Sequence, residues 1–165
     1  MMVESDTLKR TWNQFFTTVH AEEGWITPLI PSLEGVEAPE AYWKPADGIP
    51  SIAEVLLHVD GWLAAVLRDL RQEAKVENED WPAVTATDAA AWSALRDRIE
   101  NRVAEAKAQL EGYSAEGLYQ EGTCGEGSPA SSLADIFVHN AYHTGQIMRT
   151  RQLYAAFQAQ ELVSA

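Results

Sequence analysis

Residues 51–70 have the sequence SIAEVLLHVDGWLAAVLRDL, which decides the fold class. Apolar residues recur every three or four positions, which is the spacing of one face of an α-helix. The segment opens with Ser51 and Glu54 in the arrangement of a capping box, which marks a helix N-terminus. We therefore predict a long amphipathic helix whose buried stripe consists of Ile52, Val55, Leu56, Val59, Leu63, Val66, Leu67 and Leu70.

Three further segments have the same periodicity and lie on either side of this one. The first covers residues 8–19 and the third covers residues 92–110, with Gly112 as a stop. The fourth covers residues 133–157 and begins either at Ser128-Pro129 or at Ser132. Prolines break the connection at residues 27–50, which we predict to be non-helical. Four such helices predict an all-α, up-and-down four-helix bundle in a single domain, residues 1–165.

Composition excludes several classes of partner. The chain has 12 basic and 25 acidic residues, a formal charge of -13, and no basic cluster. We therefore predict no binding to nucleic acid or to an anionic membrane surface. The polar start, the short apolar runs and the single cysteine, Cys124, predict a cytoplasmic protein without a signal peptide, a membrane span or an internal disulfide.

Three of the four histidines have a spacing that suits a metal ion. His139 and His143 are four residues apart, so they share one helix face, and a tetrahedral shell needs further ligands. His58 is the best third candidate. If helices 2 and 4 run parallel and begin at Ser51 and Ser132, His58 and His139 both lie about 10 Å below one end of the bundle. The alternative is that these are ordinary histidines at the edge of the core, since two histidines at this spacing often arise by chance.

Three motifs resemble the DinB/YfiT-like superfamily of small bacterial metal-binding bundles. They are SIAEVLLHVDGW at 51–62, DIFVHNAYHTGQI at 135–147, and YWKP at 42–45. The resemblance implies that His58, His139 and His143 are the metal ligands. It also implies a divalent ion such as nickel, zinc, manganese or iron, and often a homodimer.

The same resemblance leaves the activity open. Some relatives are transferases or isomerases that use the low-molecular-weight thiols bacillithiol, mycothiol or glutathione. We therefore expect a metal-dependent enzyme that acts on a small molecule by hydrolysis or thiol transfer. The alternatives are a metal-binding stress-response module without turnover, and a helical interaction protein whose histidines are incidental.

Several polar residues near the histidines are secondary candidates. Gln146 shares the face of His139, where it is a candidate for positioning a metal-bound water, or else a polar residue packed between helices. Glu54 and Asp135 precede proposed ligands by one turn, and helix capping is the simpler role for both. We expect Asp60 to face solvent, and His20 to lie on the surface near the entrance of the site.

Three other features have simpler interpretations. Asn140 stands where H-E-x-x-H metalloproteases have their glutamate base, which argues against such a protease. Cys124 lies between acidic residues that raise a thiol pKa, so we expect it to be inert. Trp62 lies one turn after His58 and is expected to line the pocket, and the other tryptophans considered as core or loop anchors are Trp25, Trp43 and Trp81.

Overall fold

The computed structural model describes residues 2–74, 76–121 and 127–164, with residues 2–5 described by their backbone only. These residues contain seven helices. Four are long and form the bundle: α1 (Met2–His20), α4 (Ile52–Leu70), α5 (Ala89–Gly112) and α7 (Pro129–Ser164). The predicted all-α fold is confirmed. Three are short: α2 (Leu29–Ser32), α3 (Ala38–Tyr42) and α6 (Ala115–Tyr119).

Local sequence signals account for the starts of the long helices. Ser51 and Glu54 form the predicted capping box at the start of α4, and both of its hydrogen bonds are present. Helix α7 begins at Pro129, which is the earlier of the two predicted starts. There the backbone N–H of Ser131 donates to the Ser128 hydroxyl at 3.4 Å, and proline at the first helical position lacks an N–H that would go unpaired anyway.

The proline-rich segment departs from the prediction that it is non-helical. Helices α2 and α3 both lie within residues 27–50. Pro28 immediately precedes α2, and Pro39 stands in the first turn of α3. Proline is tolerated in a first helical turn, so it limits the length of these helices without preventing them.

The direction of α7 relative to α4 also differs from the prediction. Near the end of α4, Asp69 accepts a hydrogen bond from the hydroxyl of Ser132, near the start of α7, at 2.9 Å. Near the start of α4, His58 contacts His143, much further along α7. The two helices are therefore antiparallel, and the expectation that they run parallel is wrong.

Helices α4 and α5 run parallel. Asp60 pairs with Arg98 and Arg102, and about ten residues further along both helices the Leu70 carbonyl accepts from the hydroxyl of Tyr113 at 2.5 Å. The connection at residues 71–88 must return along the bundle. It is long enough to do so, because a helix of this size is only about 28 Å long.

The core lies between the four long helices. Its fully buried side chains include Phe16 from α1, Leu56 and Leu63 from α4, Ile99 from α5 and Ile147 from α7. Within the described residues, no helix combines the length and the apolar character needed to cross a membrane.

This core predicts that the bundle stays folded without a metal ion. The buried apolar surface comes from all four long helices, so folding does not depend on ligand binding as it does in a zinc finger. We expect the helical circular dichroism to be unchanged when a strong chelator is added. A large loss of helical signal on chelation would contradict this prediction.

Candidate metal centre

His58, His139 and His143 lie together between α4 and α7. One nitrogen from each ring can be chosen so that all three lie within 4.8 Å of one another. The ring centroids are 4.9 Å apart for His58 and His139, 4.6 Å for His58 and His143, and 4.3 Å for His139 and His143. The structure thus brings together all three histidines that the sequence singles out.

The reason for this convergence is not the one given by the sequence argument. His58 is in the second turn of α4, whereas His139 is almost three turns into α7. Because the helices are antiparallel, the first turns of α7 lie beside the second half of α4, and His139 then arrives at the level of His58. The i, i+4 spacing places His143 beside His139.

In each of the three rings, Nδ1 lies within hydrogen-bond distance of an oxygen atom. His58 Nδ1 lies 2.5 Å from the backbone carbonyl of Asp80, which only accepts hydrogen bonds. His139 Nδ1 lies 2.9 Å from Asn140 Oδ1, and His143 Nδ1 lies 2.7 Å from Gln146 Oε1. Amide oxygens also only accept. Each Nδ1 therefore carries a proton and donates it, and in the neutral form of each ring the lone pair is on Nε2.

The Nε2 atoms of His58 and His139 are only 2.9 Å apart. With both protons on Nδ1, two lone pairs face each other at hydrogen-bond distance, which is repulsive unless a cation lies between or beside them. Outer hydrogen bonds from Nδ1 to carbonyl oxygens are typical of metal-bound histidines. The donor set and its tautomers therefore fit a divalent metal ion.

The protonation state of the histidines supports the same fit. The pKa of His143 is lowered to about 4, mainly by burial; the hydrogen bond with Gln146 opposes this shift, and the neighbouring rings of His139 and His58 add to it. Burial also lowers the pKa of His139. Both rings are thus neutral at pH 7, and the neutral imidazole is the form that binds metal.

Two tryptophans enclose the cluster. The Trp81 ring stacks on His58 at a centroid distance of 4.2 Å and an angle of 11°. Trp62 donates from its indole N–H to Asp80 Oδ1 at 3.1 Å and lies 6.1 Å from the His139 ring. Trp62 lines the pocket as predicted. Trp25, in contrast, is fully exposed, so it is not a core anchor.

A cavity of about 510 Å³ adjoins the cluster, and His139 is the histidine that lines it. Its apolar lining comes mainly from one face of α4 and one face of α7, and it includes Trp62, Val66 and Ile136. Side chains with polar or charged groups complete the lining: Arg68, Asp69, Asn78, Ser132 and Asp135.

The secondary candidates divide into those the structure places at the histidines and those it does not. Gln146 contacts His143 Nδ1, so it orients a ring, and its amide N–H donates to the Tyr142 hydroxyl at 2.9 Å. Glu54 caps α4 and pairs with Lys44 at 2.6 Å. Asp135 is exposed at the cavity.

Two expectations about exposure are wrong. Asp60 is buried, because it pairs with Arg98 and Arg102 of α5, which lies alongside α4. His20 is fully buried and lies against Phe16 and Phe137. Cys124 lies outside the described residues.

Sequence reasoning missed the groups that hold the rings in place. The Asp80 carbonyl is a backbone atom in a connection, which no motif identifies. Asn140 entered the sequence argument only as evidence against a protease. Its position next to His139 was the available signal, because a metal-binding histidine almost always donates its other ring N–H to an acceptor, and an amide oxygen is an acceptor.

We predict that the burial of His20 makes the folded protein less stable in acid. Burial lowers its pKa in the folded protein to about 4, against 6.5 for the unfolded chain. The unfolded state therefore binds more protons between these values, and the free energy of unfolding should fall as the pH drops from about 6.5 towards 4. Denaturant titrations of metal-free protein across this range measure the slope. His20→Phe should reduce the slope without abolishing it, because His143 titrates in the same window.

Fold and site together define a class: an all-α bundle in which three histidines converge beside a cavity. The chain belongs to the DinB superfamily, whose family model matches residues 26–150 and so includes all three histidines. A search of curated proteins found no match.

One solved structure similar to this chain is that of a conserved protein from Enterococcus faecalis. It has a TM-score of 0.58 and 20% sequence identity, and the match covers 92% of this chain and 95% of that one. At this identity the likeness shows the shared fold and carries no statement about activity.

Proposed function

We propose that this protein is a metal-dependent enzyme that promotes attack by water or a low-molecular-weight thiol on a small molecule. The observation that carries the proposal is the convergence of His58, His139 and His143 at the edge of a cavity of about 510 Å³. Three ligands from the protein with an adjoining cavity are typical of catalytic metal sites, whereas structural sites are closed by four.

A divalent ion held by these rings would lower the pKa of a bound water or thiol and so supply a nucleophile near neutral pH. The three rings are neutral donors, so they leave the positive charge of such an ion uncompensated. The Asp80 carbonyl, Asn140 and Gln146 each accept a hydrogen bond from one Nδ1, which leaves the Nε2 atoms available to bind such an ion.

The cavity supports a substrate that has an apolar body. Trp62, Val66 and Ile136 offer apolar surface, and Arg68 is the cation in the cavity lining. Asp69 and Asp135 supply carboxylates in the same cavity. The net charge of -13 disfavours a strongly anionic substrate. Three further points remain predictions: the identity of the ion as nickel, zinc, manganese or iron; the use of bacillithiol, mycothiol or glutathione; and assembly as a homodimer.

The test is an assay of the metal-loaded protein with electrophilic small molecules, with and without each of the three thiols. We expect turnover that is lost on chelation and in the variant with all three histidines replaced by alanine. Ala65→Trp is a matched probe of the cavity, because Ala65 lines the cavity but is not a metal ligand. It should lower turnover by at least about tenfold and leave the metal content unchanged.

Two outcomes would overturn the proposal. Turnover that survives removal of the metal would exclude a role for the ion. Stoichiometric metal without turnover on any substrate class would favour the metal-binding module without catalysis.

A further inference from the structure

His20 is a buried polar residue that the proposed metal site does not use directly. It lies on α1, is fully buried, and has a partner at both ring nitrogens. Its Nδ1 lies 2.8 Å from the backbone carbonyl of Phe16, and its Nε2 lies 2.9 Å from Asn140 Nδ2. Asn140 is also fully buried, and its Oδ1 faces His139.

The hydrogen bond to the Phe16 carbonyl determines which atom donates in each of the following hydrogen bonds. A backbone carbonyl only accepts, so His20 Nδ1 carries a proton and donates to Phe16. Neutral His20 then has a lone pair on Nε2, which accepts from the Asn140 amide N–H. The amide is thereby oriented with its oxygen towards His139 Nδ1, which must donate in turn.

We propose that His20 and Asn140 are positioning residues that fix the tautomer and ring orientation of His139, so that its Nε2 lone pair faces His58. The use of this tautomer in metal binding rests on the proposed function, whereas the tautomer itself does not. His20 and Asn140 connect α1 to a proposed ligand on α7, and neither of them lines the cavity.

Its burial argues for a role beyond packing. His20 and Asn140 are both 0% exposed, and the aromatic rings of Phe16 and Phe137 lie against His20. Burying polar groups costs free energy that hydrogen bonds only roughly offset, so apolar residues of similar shape would hold the core equally well. The Phe16 carbonyl sets the direction of every hydrogen bond from His20 to His139. Such a buried network is explained if the His139 ring must keep one tautomer.

Histidine nitrogen–proton NMR on the metal-free protein at pH 7 tests the tautomer. We expect the Nδ1–H form of His139 in the wild type and in Asn140→Asp, since a carboxylate still accepts from Nδ1. In Asn140→Leu and in His20→Phe we expect a mixture with the Nε2–H form. Thr144→Val is the matched control, because its buried hydroxyl donates to the Asn140 backbone carbonyl and to no ring. It should leave the tautomer unchanged.

Zinc titration against a competing chelator gives the second measurement. Asn140→Leu should weaken zinc binding by about 10- to 100-fold, the range for loss of an outer hydrogen-bond partner, whereas Asn140→Asp and Thr144→Val should stay near the wild type. If Asn140→Leu does not fold, His20→Phe replaces it in both measurements.

An Nε2–H tautomer of His139 in the wild type would overturn the proposal, and so would a tautomer that all variants share. Equal losses of zinc affinity in Asn140→Leu and Thr144→Val would also overturn it, since they would indicate a general packing effect. If the wild type binds no zinc, the proposed function fails, and the tautomer measurement still decides the positioning role.

Discussion

Replacing His58, His139 or His143 singly by alanine should lower zinc affinity by more than about 100-fold. Loss of an outer hydrogen-bond partner alone typically costs 10- to 100-fold, and loss of a ligand should cost more. Each ring contributes one of three nitrogens that lie within 4.8 Å of one another, and two imidazoles leave a tetrahedral shell half empty. The measurement is competition with a chelating dye, together with metal analysis of protein purified without an affinity tag.

Arg149→Ala is the control for these variants, because Arg149 lies exposed on the same helix and contacts only Gln152 among the hydrogen bonds found there. It should bind zinc like the wild type. A full equivalent of metal in all three histidine variants would show that the ion binds elsewhere or that the assignment is wrong.

Asp60→Ala should lower the free energy of unfolding by about 2–3 kcal/mol. Removing one partner of a buried ion pair typically costs about 3–5 kcal/mol, because the other charge stays behind without compensation. Here Arg98, whose Nε lies 2.9 Å from Asp60 Oδ2, and Arg102 both keep part of their side chains in water. Solvent therefore moderates the loss. Urea unfolding of the metal-free protein measures it.

Asp97→Ala is the matched control, because Asp97 is an exposed carboxylate on α5. Its replacement should change stability by no more than about 0.5 kcal/mol. A double-mutant cycle of Asp60→Ala with Arg102→Ala separates the pairing from the burial of Asp60. If Asp60→Ala were as mild as Asp97→Ala, the ion pairs would contribute nothing measurable.

The four long helices were predictable because each carries its own signal. The stripe at residues 52–70 and the Ser51–Glu54 box depend only on helical periodicity and on backbone groups within one turn. The short helices α2 and α3 were not predicted, since a single turn beside a proline has too few residues to show a helical period. The proline explains where each short helix starts, but the stability of each helix depends on its packing against the bundle.

The sequence did not allow the relative directions of the helices to be predicted. Up-and-down order assumes that every connection reverses the chain, and residues 71–88 instead return along the bundle and leave α4 and α5 parallel. The burial of Asp60 also depends on this connection, because it places α5, which carries the partners Arg98 and Arg102, beside α4.

The candidate site divides in the same way. By itself the sequence determined that His139 and His143 share a helix face, because i, i+4 neighbours are set by the 3.6-residue period. It also named His58 as the best third candidate, and the family resemblance implied the same residue. Only the tertiary structure decided that His58 meets them, that the Asp80 carbonyl holds the outer nitrogen of His58, and that His20 lies buried behind Asn140. These contacts join residues from 22 to 120 positions apart, and helical periodicity carries no information over such separations.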